Sequence, residues 1–188
     1  MKLNLGCGPV WLVGYLNVDV ESLAEIAARA RTVGLTDAPP LGADFLQADL
    51  SRPWPWADNS AEAIIADNLL EHLGHAALSH LLQEALRVLA PGAAMTGRVP
   101  DIDRIVAYAN EQADWSWEPA WALGGPYRTA AYNALQNMAH GWGHEQVFTA
   151  RMLEERLTLA GFETTVEPCE THGLRYSASK PLKEASHV

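Results

Sequence analysis

The sequence predicts an α/β fold with a parallel sheet, and three observations support that prediction. Short apolar runs of strand length alternate with runs whose apolar residues have helical spacing, as in chains built from βαβ units. The first apolar run ends in a Gly-x-Gly turn, at Gly6 and Gly8. The next two predicted strands end in Asp19 and Asp49. Because ligands of open α/β sheets lie beyond the carboxyl ends of the strands, these residues also predict where a site would be.

Five strands are predicted in the first hundred residues, at 3–5, 15–19, 45–49, 63–67 and 94–100. Each is a short apolar or alternating run, which is the pattern of a strand in a sheet. A helix is predicted at 22–32, where Ser22 and Glu25 have the spacing of a capping box.

Two further helices are predicted later in the chain. Apolar residues recur at helical spacing over 76–90, and Pro91 with Gly92 is expected to end that helix. Thr149 is expected to cap a helix over 150–160. A closing hairpin is predicted from the runs at 164–168 and 174–180.

Residues 101–148 do not fit the alternation and are interpreted as an insertion after the fifth strand. The spacing of Trp115, Trp117 and Trp121 suits either an apolar ligand pocket or the interface of a homodimer, and both interpretations stay open. We expect a single domain over 1–182, followed by a flexible tail at 183–188.

The composition narrows the classes of partner. The net charge of −10 and the scattered positions of the 13 basic residues argue against nucleic acid, which needs clustered lysine and arginine. Two cysteines are too few for a disulfide framework. No apolar run approaches membrane-spanning length, and no signal-peptide core is present. We therefore expect a small-molecule ligand, no membrane partner and a cytoplasmic location.

The glycine turn and the two aspartates favour a nucleoside ligand. A Gly-x-Gly turn brings the backbone close to a ligand because no Cβ intervenes, although a tight turn without a ligand has the same pattern. A carboxylate after the second strand suits the hydroxyls of a ribose, and one after the third could accept from an adenine amino group. Trp11 stands where the dinucleotide fingerprint needs its third glycine, so a nicotinamide enzyme is the weaker alternative.

Several stretches match a known pattern in order and spacing: "LNLGCGP", "GYLNVD", "WADNSAEAIIADNLLEHL", "LLQEALRVLAPGAAM", "VPD" and "HEQVFTARMLEERLTLAGFE". On these stretches, the chain resembles the class I S-adenosylmethionine-dependent methyltransferases over residues 2–101 and 144–180, which are most of its length. More narrowly, it resembles the small methyltransferases related to type 11. The resemblance implies a Rossmann-like sheet of order 3-2-1-4-5-7-6 with strand 7 antiparallel. It also implies S-adenosylmethionine as cofactor and S-adenosylhomocysteine as product.

The resemblance implies roles for residues near the ends of the first four strands. The glycine turn would pass under the methionine and ribose, and Asp19 would hold the ribose hydroxyls. Asp49 and Leu50 would face the adenine, and Asn68 would lie near the methionine. Many class I enzymes have an acidic residue where this chain has Asn4. The full set of expected cofactor residues is Asn4, Gly6, Cys7, Gly8, Asp19, Val20, Asp49, Leu50 and Asn68.

Three residues are candidates for the chemistry, which needs alignment of the acceptor and, for some acceptors, removal of a proton. The resemblance places the pair Glu71 and His72 beside the cofactor. The pair would either line the acceptor site, with His72 as a base, or organise the start of the next helix, which we favour. Asp101, directly after the fifth strand, and His144 are the other two candidates.

No metal site is expected from the sequence. His140 and His144 have the i, i+4 spacing of two ligands on a helix, but two glycines lie between them and no His-Glu-x-x-His pattern occurs. We expect His144 in a loop over the acceptor site. Trp54 and Trp56 would either cover the adenine or, as we favour, pack between the third and fourth strands.

The function expected from the sequence is methyl transfer from S-adenosylmethionine to an oxygen or nitrogen of a small molecule. The alternative is a binding protein that has the same fold but transfers nothing.

Overall fold

A seven-stranded sheet forms the centre of the chain and confirms the predicted fold and strand order. The computed structural model describes residues 1–32, 34–35, 38–110, 143–169 and 173–182. The strands lie in the order β3-β2-β1-β4-β5-β7-β6. The first five pair in parallel, and β7 is antiparallel to both of its neighbours. Their bounds are β1 Lys2–Leu5, β2 Leu16–Asp19, β3 Asp44–Gln47, β4 Ala61–Ile65, β5 Leu89–Pro100, β6 Glu163–Pro168 and β7 Gly173–Ser179.

The described helices are α1 Leu23–Thr32, a 3₁₀ turn at Leu70–His72, α2 His75–Val88, α3 Ile102–Ala109 and α4 Ala150–Leu159. The predicted capping box is present before α1, since the backbone N–H of Ser22 donates to the Glu25 carboxylate at 2.7 Å and that of Glu25 donates to the Ser22 hydroxyl at 3.4 Å. At α4 the Thr149 hydroxyl accepts from the backbone N–H of Met152, as its sequence position predicted. None of the described helices combines the length and apolar character needed to cross a bilayer.

Several predicted boundaries were wrong. Helix α2 ends at Val88, and Pro91 and Gly92 lie inside β5 instead of at the end of the helix. Gly92 takes a left-handed conformation (φ +78°), and its backbone N–H donates to the carbonyl of Lys180. The first part of β5 therefore bends along the end of β7, and its register against β4 shifts there. The pairing of β5 with its neighbouring strands therefore overrides the local tendency of Pro-Gly to end a helix. Strand β3 ends at Gln47 and not at Asp49, and β4 spans Ala61–Ile65 instead of the predicted 63–67.

The hydrophobic core lies against the central strands. Leu3 of β1 pairs with Ile64 of β4, and both side chains are fully buried. Helix α2 buries one apolar face against the sheet, formed by Leu78, Leu81, Leu82, Ala85 and Val88. Trp54 also belongs to the core, as the packing interpretation expected, and its indole N–H donates to the carbonyl of Leu50. The packed core holds the strand ends in place, and these strand ends form the site.

The two ends of the proposed insertion meet. Asp101 and Phe148 form an isolated parallel bridge, and the backbone N–H of Ile102 donates to the carbonyl of Phe148 at 3.0 Å. Helix α3 begins within this segment. The tryptophans expected to line a pocket or an interface, Trp115, Trp117 and Trp121, lie outside the described residues, as does the tail at 183–188.

Candidate functional site

A cavity of about 320 Å³ opens at the carboxyl ends of β1, β2 and β4, a volume typical of small-molecule sites. The loops after β2, β3 and β4 complete its walls. Six of the nine predicted cofactor residues line it: Gly6, Asp19, Val20, Asp49, Leu50 and Asn68. The structure therefore brings these six residues together around one cavity, called the main cavity below.

The glycine turn after β1 can be formed only by residues without a Cβ. Gly6 and Gly8 have φ values of +61° and +46°, a region that other residues rarely adopt. A Cβ on Gly6 would meet the Leu69 side chain at 2.7 Å, and one on Gly8 would meet the Arg29 guanidinium at 2.8 Å. Gly6 lines the cavity, whereas Gly8 lies behind it and supports the turn.

Asp19 is a buried carboxylate fixed by the backbone on two sides. Its Oδ2 accepts from the N–H of Gly8 at 2.8 Å, and its Oδ1 accepts from the N–H of Glu21 at 3.0 Å. Each carboxylate oxygen has two acceptor positions, so each keeps one for a ligand hydroxyl. The side chain is 6% exposed and lines the cavity, an arrangement that suits a ribose diol.

Asp49 also lines this cavity, and a backbone hydrogen bond next to it joins the ends of β2 and β3. The backbone N–H of Ala48 donates to the carbonyl of Asp19 at 2.8 Å. The Asp49 Oδ1 accepts from both the N–H and the hydroxyl of Ser51, which lowers the pKa of the carboxyl. This side chain is partly engaged in its own turn, and buried Leu50 provides the apolar wall beside it.

A second cavity of about 280 Å³ adjoins the first and shares Gly6 and Asn68 with it. Asn4 and Cys7 line this second cavity. The Asn4 amide donates to the carbonyl of Val10 at 3.0 Å and to the Asn17 side chain at 2.8 Å. Asn4 thus holds the loop after the glycine turn in addition to lining the cavity.

Sequence reasoning missed an ion pair in the second cavity. The Arg98 Nε lies 3.0 and 3.1 Å from the two carboxylate oxygens of Asp67, and both side chains line the cavity. This pairing raises the pKa of Arg98. In the β4–β5 register, Ile65 is opposite Thr96. Asp67 and Arg98 each follow two residues later in the chain, so this register places them side by side. Only that register brings them together.

Asn68 separates the two cavities. It has a left-handed conformation, with φ of +48°, which asparagine tolerates better than most residues. Its backbone N–H donates to the carbonyl of Arg98 at 2.9 Å. The peptide of Asn68 is therefore fixed, and its side chain lines both spaces, as a residue between two parts of one ligand would.

Two of the three candidate catalytic residues come together beside the main cavity. His72 lines it, and the His72 ring lies edge to face with that of His144, with 4.8 Å between centroids. Glu71 is 1% exposed, and burial raises the pKa of its carboxyl to about 8. The carbonyl of Glu71 accepts from the backbone N–H groups of Glu145 and Gln146. The segment that carries His144 is thus docked on the 3₁₀ turn.

Asp101, the third candidate, lines neither of these two cavities. Its Oδ1 accepts from the backbone N–H of Asp103 at 3.1 Å, at the start of α3. Burial raises the pKa of this carboxyl. Arg104 donates to the carbonyl of Cys169 at 2.7 Å. In the described part of the chain, Asp101 acts as a helix cap beside the bridge to Phe148.

We expect Cys7 to resist alkylation in the folded protein. Its side chain is 4% exposed, and burial, together with the charge of Asp19, raises the pKa of the thiol to about 12. Because the thiolate is the reactive form, iodoacetamide at about pH 8 should leave Cys7 unmodified in the native chain and modify it in urea. Mass spectrometry of the Cys7 peptide measures both states. Rapid labelling of native Cys7 would contradict a buried, neutral thiol at this turn.

Comparison with known proteins identifies the class to which this fold and site belong. The family described as a methyltransferase domain matches residues 3–96, which are 94 of the 188 residues. The chain therefore belongs to this methyltransferase family, and S-adenosylmethionine is its cofactor. No curated protein sequence matches the chain.

Solved structures have the same fold. An S-adenosylmethionine-dependent methyltransferase from Methanosarcina mazei is 21% identical, with a TM-score of 0.59, and the match covers 97% of this chain and 92% of that one. One from Aquifex aeolicus is 16% identical, with a TM-score of 0.57, and covers 95% and 81%. A third match is the complex of the Haloferax volcanii Trm112 methyltransferase activator with the putative methyltransferase, at 14% identity, a TM-score of 0.60, and 96% and 82% coverage.

The residues present fit this cofactor. A buried carboxylate with spare acceptor positions lies at Asp19, and apolar walls lie near Asp49. The polar side chains of Asn4, Asp67 and Arg98 line the adjoining cavity. S-adenosylmethionine is a nucleoside joined to an amino acid, so it needs one cavity for the nucleoside and an adjoining polar cavity for the amino acid.

Proposed function

We propose that the protein transfers the methyl group of S-adenosylmethionine to an oxygen or nitrogen of a small molecule. The proposal depends mainly on one observation: a buried Asp19 carboxylate, fixed by the Gly8 N–H, faces a cavity that adjoins a second, polar cavity through Gly6 and Asn68. The bound sulfonium supplies an electrophilic methyl carbon. The chain has to hold the cofactor, align the acceptor and exclude water.

We assign the nucleoside to the main cavity and the methionine end to the second. Asp19 accepts both ribose hydroxyls, and the loop with Asp49 and Leu50 borders the adenine. Gly6 lets the backbone approach the ligand. Asn68, which lines both cavities, would contact the ligand where the two cavities adjoin.

The acceptor is assigned to the side of the main cavity that His72 lines. His144 packs edge to face against the His72 ring, so the imidazole that an acceptor would meet here is that of His72, which can take a proton from the acceptor when no cation is bound. Asp101 remains a prediction from the sequence, and its position suggests that it orders the start of α3. The small-molecule acceptor, the homodimer and the cytoplasmic location also remain predictions.

Calorimetry followed by a transfer assay tests the proposal. Saturable binding of S-adenosylmethionine and S-adenosylhomocysteine is expected, and then transfer of radiolabelled methyl to at least one member of a panel of phenols, catechols, alcohols and amines. Binding of both ligands without transfer to any acceptor would favour the non-catalytic binding protein. A folded chain that binds neither ligand would contradict both interpretations.

A further inference from the structure

We infer that Glu71, His72 and His144 form a binding site for a divalent transition-metal cation in the wall of the main cavity. One carboxylate oxygen of Glu71 and one ring nitrogen of each histidine lie within 4.8 Å of one another. A cation bound by these three atoms would lie about 2.0–2.2 Å from each of them.

The buried carboxylate is the strongest reason for a cation. Glu71 is 1% exposed, and its Oε2 has no hydrogen-bond partner among the described residues. A buried charge without a partner is costly, so such groups are neutralised, paired or bound to metals. A bound cation would pair with this carboxylate and stabilise its negative charge.

The backbone holds the third ligand against the first two. Glu71 and His72 are adjacent in the 3₁₀ turn, whereas His144 comes from a segment far away in sequence. That segment is fixed by two N–H bonds to the Glu71 carbonyl, at 2.8 and 3.0 Å. The Gln146 side chain also donates to the carbonyl of Leu73. The three ligands are therefore presented by a defined scaffold and not by mobile surface side chains.

The donor set selects the kind of cation. Two imidazoles and one carboxylate suit first-row divalent ions such as Zn²⁺, Mn²⁺ or Fe²⁺, while Mg²⁺ and Ca²⁺ prefer oxygen ligands. Three protein ligands leave coordination positions open. The sequence expectation of no metal considered His140 with His144, whereas the site inferred here uses Glu71 and His72 with His144.

The cation would also define the acceptor, a point that depends on the proposed function. Since His72 lines the main cavity, an open position on the metal is available to an acceptor hydroxyl there. Coordination lowers the pKa of the hydroxyl, which gives its proton to water. The oxygen then forms a bond to the methyl carbon as the carbon–sulfur bond breaks and S-adenosylhomocysteine leaves. The acceptor class would be a hydroxyl compound.

Titration of the chelator-treated full-length chain with Co²⁺ alone tests the site. We expect one Co²⁺ per chain, with visible d–d absorption typical of nitrogen and oxygen ligands. Glu71→Gln, His72→Gln and His144→Gln should each raise the Co²⁺ Kd by at least tenfold, about 1.4 kcal/mol. His80→Gln is the control, because His80 lies on α2 with its Nε2 2.9 Å from the Arg52 carbonyl. Thermal unfolding without metal checks that each variant folds.

The outcomes separate this inference from the proposed function. Equal Co²⁺ affinity in wild type and Glu71→Gln, or an equal loss in His80→Gln, would overturn the metal site. S-adenosylhomocysteine is titrated into the same samples. Cofactor binding without the Co²⁺ site removes the metal inference alone, while a Co²⁺ site without cofactor binding removes the methyltransferase proposal alone.

Discussion

Asp19→Ala is expected to weaken binding of S-adenosylhomocysteine by tenfold or more, about 1.4 kcal/mol. The carboxylate is buried and lines the main cavity, and each of its oxygens keeps an acceptor position beyond its bond to Gly8 or Glu21. Hydrogen bonds to a charged acceptor contribute about 1.5–3 kcal/mol, and the ribose would lose two of them. The Gly8 N–H would also lose its partner, which would loosen the glycine turn.

Calorimetric titration of wild type and variant measures the effect. Asp44→Ala is the matched control, because Asp44 is an exposed aspartate at the start of the neighbouring strand and does not line the cavity. The Kd of the Asp44→Ala variant for S-adenosylhomocysteine should equal that of the wild type. An Asp19→Ala variant that unfolds at a normal temperature and binds as tightly as wild type would contradict the assigned ribose contact.

The parts of the site that the sequence predicted depend on short-range signals. A strand followed by Gly-x-Gly needs positive φ values, and Gly6 and Gly8 have them. Asp19 ends a strand whose neighbours are fixed by the parallel topology, so its place beside the turn follows from the fold. The length of β3 was less well determined, because Asp49 is engaged with Ser51 in a turn that only the structure reveals.

The features that the sequence did not predict depend on long-range contacts. The pair of Asp67 and Arg98 needs the register between β4 and β5, which no local pattern specifies. The approach of His144 to His72 depends on where the chain returns after the insertion, and the bridge of Asp101 to Phe148 sets that point. The burial of Glu71 follows from the same docking. Periodicity and motifs carry no information on such contacts.

Gly97→Ala is expected to cause a large loss of stability, about 3 kcal/mol. Gly97 lies in β5 opposite Tyr176 of β7, and the Tyr176 hydroxyl donates to the carbonyl of Ala66 at 2.8 Å. A Cβ at this position would meet the carbonyl oxygen of Ala66 and would lie 2.7 Å from both its carbon and the Tyr176 hydroxyl. Backbone cannot move away as a side-chain end can, so the end of β4 would have to shift. Asn68 lies two residues after Ala66, so cofactor binding should weaken too.

Thermal unfolding and S-adenosylhomocysteine titration measure both effects. A loss of this size lowers the Tm by roughly 6–12 °C in a chain of this length. Gly42→Ala is the control: Gly42 is exposed, has a φ of +84°, and nothing lies within 4 Å of an added Cβ. Only the conformational penalty of about 1 kcal/mol applies there, and binding should not change. If both variants lost the same stability, contact with the Ala66 carbonyl would not be the cause. A larger loss of stability in Gly97→Ala, together with weaker binding of S-adenosylhomocysteine, would show that the site depends on the close packing of Gly97 against the Ala66 carbonyl, just after β4.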